Sequence, residues 1–505
     1  MQKVDVLILG AGFGGSLLGA ILASHGRSVA LIDRSRHPRF AIGESSTPLA
    51  DASLERIAQK YSLPEIAPLA RYGWWKRAYP ALLCGRKRGF TYFGHAAGFD
   101  PRQGDFPEQR MLAMASDGDE SSDTHWLRSD VDAFFFRLAQ SHGTMCFEAC
   151  RYMLRRVPEG WHLEGTAEDR EVVIQSDFVI DATGSATGVL AALQIEDQTG
   201  TLRTNSGAVF AHFSGVRPCQ QMLLDAGLDV TAFPFDCDAA AVHHVLDDGW
   251  MYQLRFDDDT VSAGFVFDQR RPQQQGRDTA GSPVDDWNGR MQRYPFLRQQ
   301  FARAAVVRPA GGLQRVPRLQ RLTTQAAGEN WAVLASTAGL IDPLHSTGIA
   351  HTLFCVERLA AILLNDLNPS QRRQRLEDYS QMLITEIRCV DELVEGCYAA
   401  LPDFALWCDW TMVYFAAVTS MESLAPEGVA VGDRATGFLR ALDPEFRRVL
   451  KTARLQLSRC GSCDRRAWQR RQFVDWLRDA IRPWNHAGLL DESCDRLYTS
   501  TSARR

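Results

Sequence analysis

Three glycines and an aspartate are the first residues whose types and spacing could do chemistry. Gly10-Ala-Gly12-Phe13-Gly-Gly15 follows an apolar run, Val4 to Leu9, and opens a helical segment; a second apolar strand, Ser28 to Ile32, ends at Asp33. Glycines so spaced let a tight turn bring backbone amides and a helix N-terminus against a pyrophosphate, and a carboxylate about 20 residues on accepts from a ribose hydroxyl. A bound dinucleotide is therefore expected on Gly10, Gly12, Phe13, Gly15 and Asp33. The second candidate is Lys87, in "ALLCGRKRGFTYFGH" (residues 81–95) between Arg86 and Arg88. A lysine in such company is either a solvated surface charge or a buried group whose pKa has been tuned for a reaction. The stretch alone reads as surface.

These residues need elements to position them. The first forty residues read as a strand, a helix and a second strand. "SDFVIDATGS" from Ser176 is an apolar strand running into a Thr-Gly turn. "WAVLASTAGLIDPLHSTGIAHTLFCVERLAAILLND" is a strand, a loop and a long helix with Ile349, Leu353, Val356, Ala360 and Leu363 on one face. Between these units, "DGWMYQLRFDDDTVSAGFVFD" predicts a hairpin with Trp250, Tyr252 and Leu254 on one strand face. "QRRPQQQGRDTAGSP" predicts a loop. Beyond about residue 365 the pattern is helical and aromatic, and the tail "TSTSARR" is expected to be disordered.

With 505 residues the chain can bury a large core, and 45% apolar with 23% charged residues is an ordinary globular balance. A net charge of -5 argues against nucleic-acid binding. The uncharged run from Val6 to Ser24 is broken by glycines and reads as buried strand, turn and helix, not as a membrane span or signal. Cys460-Gly-Ser-Cys463 has no second cysteine pair or histidine pair at zinc spacing and reads as reduced structural cysteines. "RRAWQRRQ" from Arg465 reads as the wet face of a helix or a partner-docking patch. No secretion signal is read, so the expected compartment is the cytoplasm.

"DATGS" at Asp181 and "AGLIDPLHSTGI" resemble the distal FAD motifs of the flavin monooxygenase class, and Arg128 in "LRSDVDAFF" matches that class's arginine. The string Pro38-Arg39 followed by Gly43-Glu44-Ser45-Ser46-Thr47-Pro48 resembles the flavin-dependent halogenases, as do "DPLHSTGI", the Trp250 strand and the aromatic helical C-terminal region. The resemblance covers about residues 1–430. It is strongest to the branch acting on free phenols such as phloroglucinol, through "CGRKRGFTYFGH" and "CYAALPDFALWCDW".

The resemblance implies an α/β fold. It would comprise an FAD-binding Rossmann-like three-layer domain of the flavin monooxygenase class, an inserted β-sheet substrate region and a helical C-terminal region. FAD-binding segments would occupy residues 1–205, the β-rich substrate region 206–305, a returning FAD segment 306–365 and the helical region 366–505. It implies FAD contacts at Arg39, Glu44, Arg128, Asp342 and Ile349, and halide contacts at Thr347 and Gly348. Those two also satisfy a plain helix cap. It implies that reduced flavin, molecular oxygen and chloride or bromide give hypohalous acid, which Lys87 relays to an electron-rich, phenolic ring in secondary metabolism. No second glycine motif serves a nicotinamide, so a separate NAD(P)H-dependent flavin reductase is implied; the substrate is a small aromatic, free or tethered to a carrier protein. His345 is either a base for the phenol or held by its own loop, and Phe90, Tyr92 and Trp250 are candidate pocket walls or core. One feature departs from the family: the strand Gly249-Trp250-Met-Tyr252-Gln-Leu254-Arg255 has tyrosine and arginine where halogenases carry a second tryptophan and a proline. A hydroxylating flavin monooxygenase is the alternative.

Overall fold

The computed structural model describes residues 1–271, 281–401, 403–423, 436–460 and 466–501. Cys463, Arg465, most of the 269–283 loop and the last four residues of the tail lie outside them.

Strand Gln2–Leu9 has an apolar inner half, as a strand covered on both faces requires. It lies between Val29–Ile32 and Arg170–Asp181, parallel to both. The sheet runs Ala327–Gly328, Trp331–Val333, Arg170–Asp181, Gln2–Leu9, Val29–Ile32, Met145–Phe147, with Cys150–Val157 and Gly160–Ala167 as an antiparallel extension. Helix α1 (Phe13–Ser24) springs from the glycine turn, α2 (Pro48–Lys60) follows the Gly43–Pro48 string, and α3 (Arg128–Ser141) packs on α1. The expected long helix is α4 (Gly348–Leu364), packed against α1 and α2.

A second, nine-stranded sheet carries Ser206–Ser214, Val261–Asp268, Gly249–Arg255, Ala241–Leu246, Gly89–Gly94 and Arg110–Met114 in that spatial order, with Ala305–Arg308 and Leu497–Tyr498 at its ends. The expected hairpin is present, Trp250 opposite Val266 and Tyr252 opposite Gly264. Gly264 is required there, because a Cβ would lie 2.6 Å from the Tyr252 ring. The sheet also takes strands 89–94 and 110–114 from within the first 205 residues. Side chains alternate: Phe90, Tyr92 and Trp250 join the main core, while Phe93, Leu112 and Met251 join a second core.

A separate two-stranded ladder, Cys84–Lys87 against Asp123–Trp126, sits between the sheets' segments and the Gly43–Pro48 string. The C-terminal region is helical as expected: α5 (Pro369–Ala400) and α6 (Phe404–Glu422) pack together, and α6 is buried nearly all round. Helix Arg466–Ile481 follows, its Arg470 paired with Asp409 at 2.6 Å. All described cysteines are free thiols, the buried Cys460 included, and no described helix is long and apolar enough to cross a membrane.

Candidate active site

The glycine turn is built for close approach. Gly10 has φ +93°, and a Cβ there would meet the Ala182 carbonyl oxygen at 2.6 Å; one at Gly15 would sit 2.1 Å from Gly10 O. Asp33 ends its strand with both oxygens oriented, Oδ2 accepting from Ala11 N–H (2.8 Å) and Oδ1 from Ser35 N–H (2.8 Å). The Phe13 N–H at the start of α1 donates to Asp132 Oδ1 at 3.1 Å. Asp132 is a residue that sequence reasoning did not single out, though it stands one helical turn from Arg128. Arg128 clamps it with Nε (2.9 Å) and Nη2 (3.0 Å), and Arg39 bridges Asp132 and Asp33 at 3.4 Å each. Both guanidinium groups lie 3.6 Å from where a Gly12 Cβ would stand. Arg128 also lies over the Phe13 ring at 4.8 Å. A side-chain-free turn flanked by two partly exposed arginines, with an oriented carboxylate beyond, has the donor set a dinucleotide pyrophosphate and ribose need. The residues fit FAD.

The distal motifs meet this cradle. Asp181 accepts from the Thr183 amide (3.0 Å) and the Val189 amide (2.8 Å). Asp342 accepts from Leu344 N–H (3.1 Å), Ser206 Oγ (3.0 Å) and Tyr398 OH (2.7 Å). Burial pushes the Asp342 carboxyl up to about 6, against the pull of the Tyr398 and Ser206 hydrogen bonds. After Ser346, in the left-handed region at φ +52°, α4 begins. Thr347 makes no side-chain cap bond, and a Cβ at Gly348 would meet nothing within 4 Å, so the first turn of α4 opens on free space. Such a turn suits a halide. Ile349 is buried. Glu44 is also buried, its Oε2 3.1 Å from His212 Nε2, and its Oε1 accepts from Arg128 N–H at 3.5 Å. It ties the Gly43–Pro48 string to the second sheet and to α3.

Lys87 is fully buried, which overturns the surface reading of its stretch. The strand's pleat explains it: Arg86 and Arg88 both turn to the part-exposed Asp119 while Lys87 points the other way. The Lys87 ammonium donates to the Ser46 carbonyl and lies over the Phe90 ring at 4.2 Å. Ser46 in turn is fixed by Ser46 N–H to Thr124 O (3.0 Å) and by its hydroxyl to Asp51 (2.8 Å). Burial pushes the Lys87 amine down to about 8, opposed by the charges of Asp123, Asp51 and Glu422.

The three candidate aromatics come together around a residue the sequence reading missed, His243. Tyr92 stacks on Phe90 (5.9 Å, 7°) and contacts His243 at 5.1 Å; Trp250 stacks on the other side of His243 at 5.0 Å. Helix α6 closes the wall, Trp407 reaching Tyr92 (5.1 Å) and Phe415 reaching Phe90 (5.9 Å). His345 joins from the loop before α4, Nε2 3.7 Å from Cys397 Sγ, and burial pushes its imidazole down to about 3, so it is neutral. Among the described residues, Tyr92 OH, His345 Nδ1 and His125 Nδ1 are buried without a hydrogen-bond partner. Buried polar atoms are seldom left so, and each of these three is open to a hydrogen bond from a water or a ligand. The sequence signals for α6 are its aromatic content and the string at residues 397–410; for His243 there is none.

Residues 123–413 match the family model described as tryptophan halogenase. Tetracycline 7-halogenase of Kitasatospora aureofaciens is 27% identical over 419 residues, 80% of this chain and 72% of that protein. Monodechloroaminopyrrolnitrin halogenase PrnC of Pseudomonas fluorescens is 28% identical over 420 residues, 80% of this chain and 69% of that one. In fold, the chain is similar to the crystal structure of halogenase PltM in complex with phloroglucinol and FAD, with TM-score 0.83 at 22% identity over 98% of this chain and 99% of that one. The expected α/β fold with a helical C-terminal region is borne out. FAD is the cofactor, and halide and oxygen are the co-substrates. With its family model spanning more than half its length, the chain belongs to the tryptophan halogenase family, as a flavin-dependent halogenase.

Proposed function

We propose that this halogenase acts on an electron-rich phenolic ring seated beside Lys87 and the Phe90–Tyr92–His243–Trp250 wall, with Lys87 relaying the halogen. The observation that carries the reading is the Lys87 ammonium, sealed from solvent against the Phe90 face, beside buried polar atoms that have no protein partner. The likeness to a halogenase crystallised with phloroglucinol supports a phenol of that kind.

In this reading Arg39, Arg128 and the 10–15 turn hold FAD, and Thr347 and Gly348 hold the halide. The bound cofactor, reduced by a separate flavin reductase, supplies hypohalous acid from oxygen and halide. Lys87 Nζ hydrogen-bonds the acid's oxygen, making the halogen the electrophile. The ring carbon forms its bond to halogen as the O–halogen bond breaks; the hydroxide takes a proton from Lys87 and leaves as water. The ring's displaced proton returns to the Lys87 amine, restoring the ammonium. An amine held near 8 can both give and take that proton near neutral pH. His345, neutral and weakly basic, accepts a hydrogen bond from the phenol at Nδ1 and orients it without taking its proton. The substrate sheet comprises the 206–268 strands with strands 89–94 and 110–114.

The test is one assay read by mass spectrometry: protein, FAD, a flavin reductase, NADH, oxygen, bromide and a panel of phenols including phloroglucinol and resorcinol. A product with bromine's isotope doublet, absent with Lys87→Ala, is expected. A product heavier by one oxygen, indifferent to halide and to Lys87→Ala, would overturn the reading in favour of a hydroxylase.

A further inference from the structure

We propose that Asp123 is a positioning residue that keeps the Lys87 ammonium charged and aimed during halogen transfer. The inference rests on the Lys87 relay proposed above. Lys87 and Asp123 are register partners across the Cys84–Lys87/Asp123–Trp126 ladder. Directly opposed residues of an antiparallel pair project from the same face with Cβ atoms about 4.5–5.5 Å apart. Both side chains are buried, and Asp123 also acts electrostatically on Tyr414 of α6, so its carboxylate faces the same interior as the aromatic wall.

The charged and titratable groups facing Lys87 come from every element around it. From its partner strand come Asp123 and His125, from α2 Asp51, from α6 Glu422, and from the second sheet His243. Burial pushes both histidines to about 3, so they are neutral and offer the ammonium no charge. Of the three carboxylates, Asp51 accepts the Ser46 hydroxyl and Glu422 stands in the last turn of α6. Asp123 is the one fixed by strand register, and its effect on Lys87 is the largest of the three. A buried ammonium persists only where its desolvation is offset by opposite charge and hydrogen bonds. The Ser46 carbonyl and the Phe90 face supply direction; Asp123 supplies charge.

The chain has five lysines, Lys3, Lys60, Lys76, Lys87 and Lys451, so lysine labelled with carbon-13 at Cε gives a readable titration in the FAD-bound protein. The Lys87 signal is assigned by its loss in Lys87→Ala. In Asp123→Asn its midpoint is expected about one pH unit below that of the unaltered protein, with Asp123→Glu restoring most of the difference. The high-pH limb of bromination should move down by the same amount. An unchanged Lys87 midpoint in Asp123→Asn overturns the proposal; should that variant not fold, Asp123→Ser gives the same reading. If Lys87→Ala still halogenates, the relay reading fails on its own, while the titration still decides whether Asp123 holds the charge.

Discussion

The imidazole of His345 lies flat on the ring of Tyr414, centroids 4.2 Å apart and planes 6° from parallel, and the Tyr414 hydroxyl donates to the His345 carbonyl at 3.0 Å. The loop that leads into the first turn of α4 is thereby pinned to α6, a helix from the C-terminal region. Tyr414→Phe keeps the stack and removes one hydrogen bond, for an expected loss of about 1 kcal/mol in denaturant unfolding. Tyr414→Ala also opens a cavity, for about 3–5 kcal/mol, and should raise the KM for the phenol. Equal losses in the two variants would contradict this account of the stack.

Lys87 ties activity and stability to pH in opposite senses. The reading needs its ammonium, so bromination should fall as pH rises through about 8. For stability, the folded-state pKa lies below the ordinary value of 10.5, so between about 8 and 10.5 the unfolded chain binds the extra proton and stability rises with pH. Lys87→Met removes that rise. Urea midpoints at pH 8 and pH 10 for both proteins check it: the parent should gain relative to the variant.

Glu386 on α5 is fully buried, bonded to Arg358 (2.7 and 2.8 Å), His351 (3.0 Å) and the Phe438 amide (2.6 Å). Although burial raises its carboxyl, Arg358 and His351 hold it down to about 2. Its contribution is present above the ordinary value of 4.5 and is lost as pH falls from there toward 2. Glu386→Gln should lose about 3–5 kcal/mol at pH 7 and show a flatter acid-unfolding curve. Parallel acid curves for the two proteins would count against it.

Gly348 offers a test of the proposed halide site that leaves the fold intact. A methyl group there meets nothing within 4 Å, so Gly348→Ala should change the melting temperature little. It should raise the bromide KM about two- to five-fold, the size of a 0.3–1 kcal/mol anion effect at a helix start. The phenol KM should stay put; if it rises instead, the turn belongs to the substrate.

What the sequence by itself determined is what short-range periodicity and turn chemistry encode. The glycine turn, Asp33, the Trp250 hairpin and the α4 face lie within stretches whose own pattern demands them, because a tight turn needs glycine and a strand shows a period of two. The Gly43–Pro48 string and Lys87 could be matched to a family, but their contact could not be read. Lys87 stands between two arginines, and alternation says only that it faces away from them. That the far side is the interior depends on Ser46 and α6 arriving there from two distant stretches, with Phe90 from its own stretch folded back beneath the ammonium. His243, Asp123 and Tyr414 carry no local signal for the same reason: their roles exist only once strand register and helix packing bring distant segments onto one lysine. Tertiary structure decided the site's charge balance, because desolvation and counter-charge are properties of what surrounds a side chain, not of its neighbours along the chain.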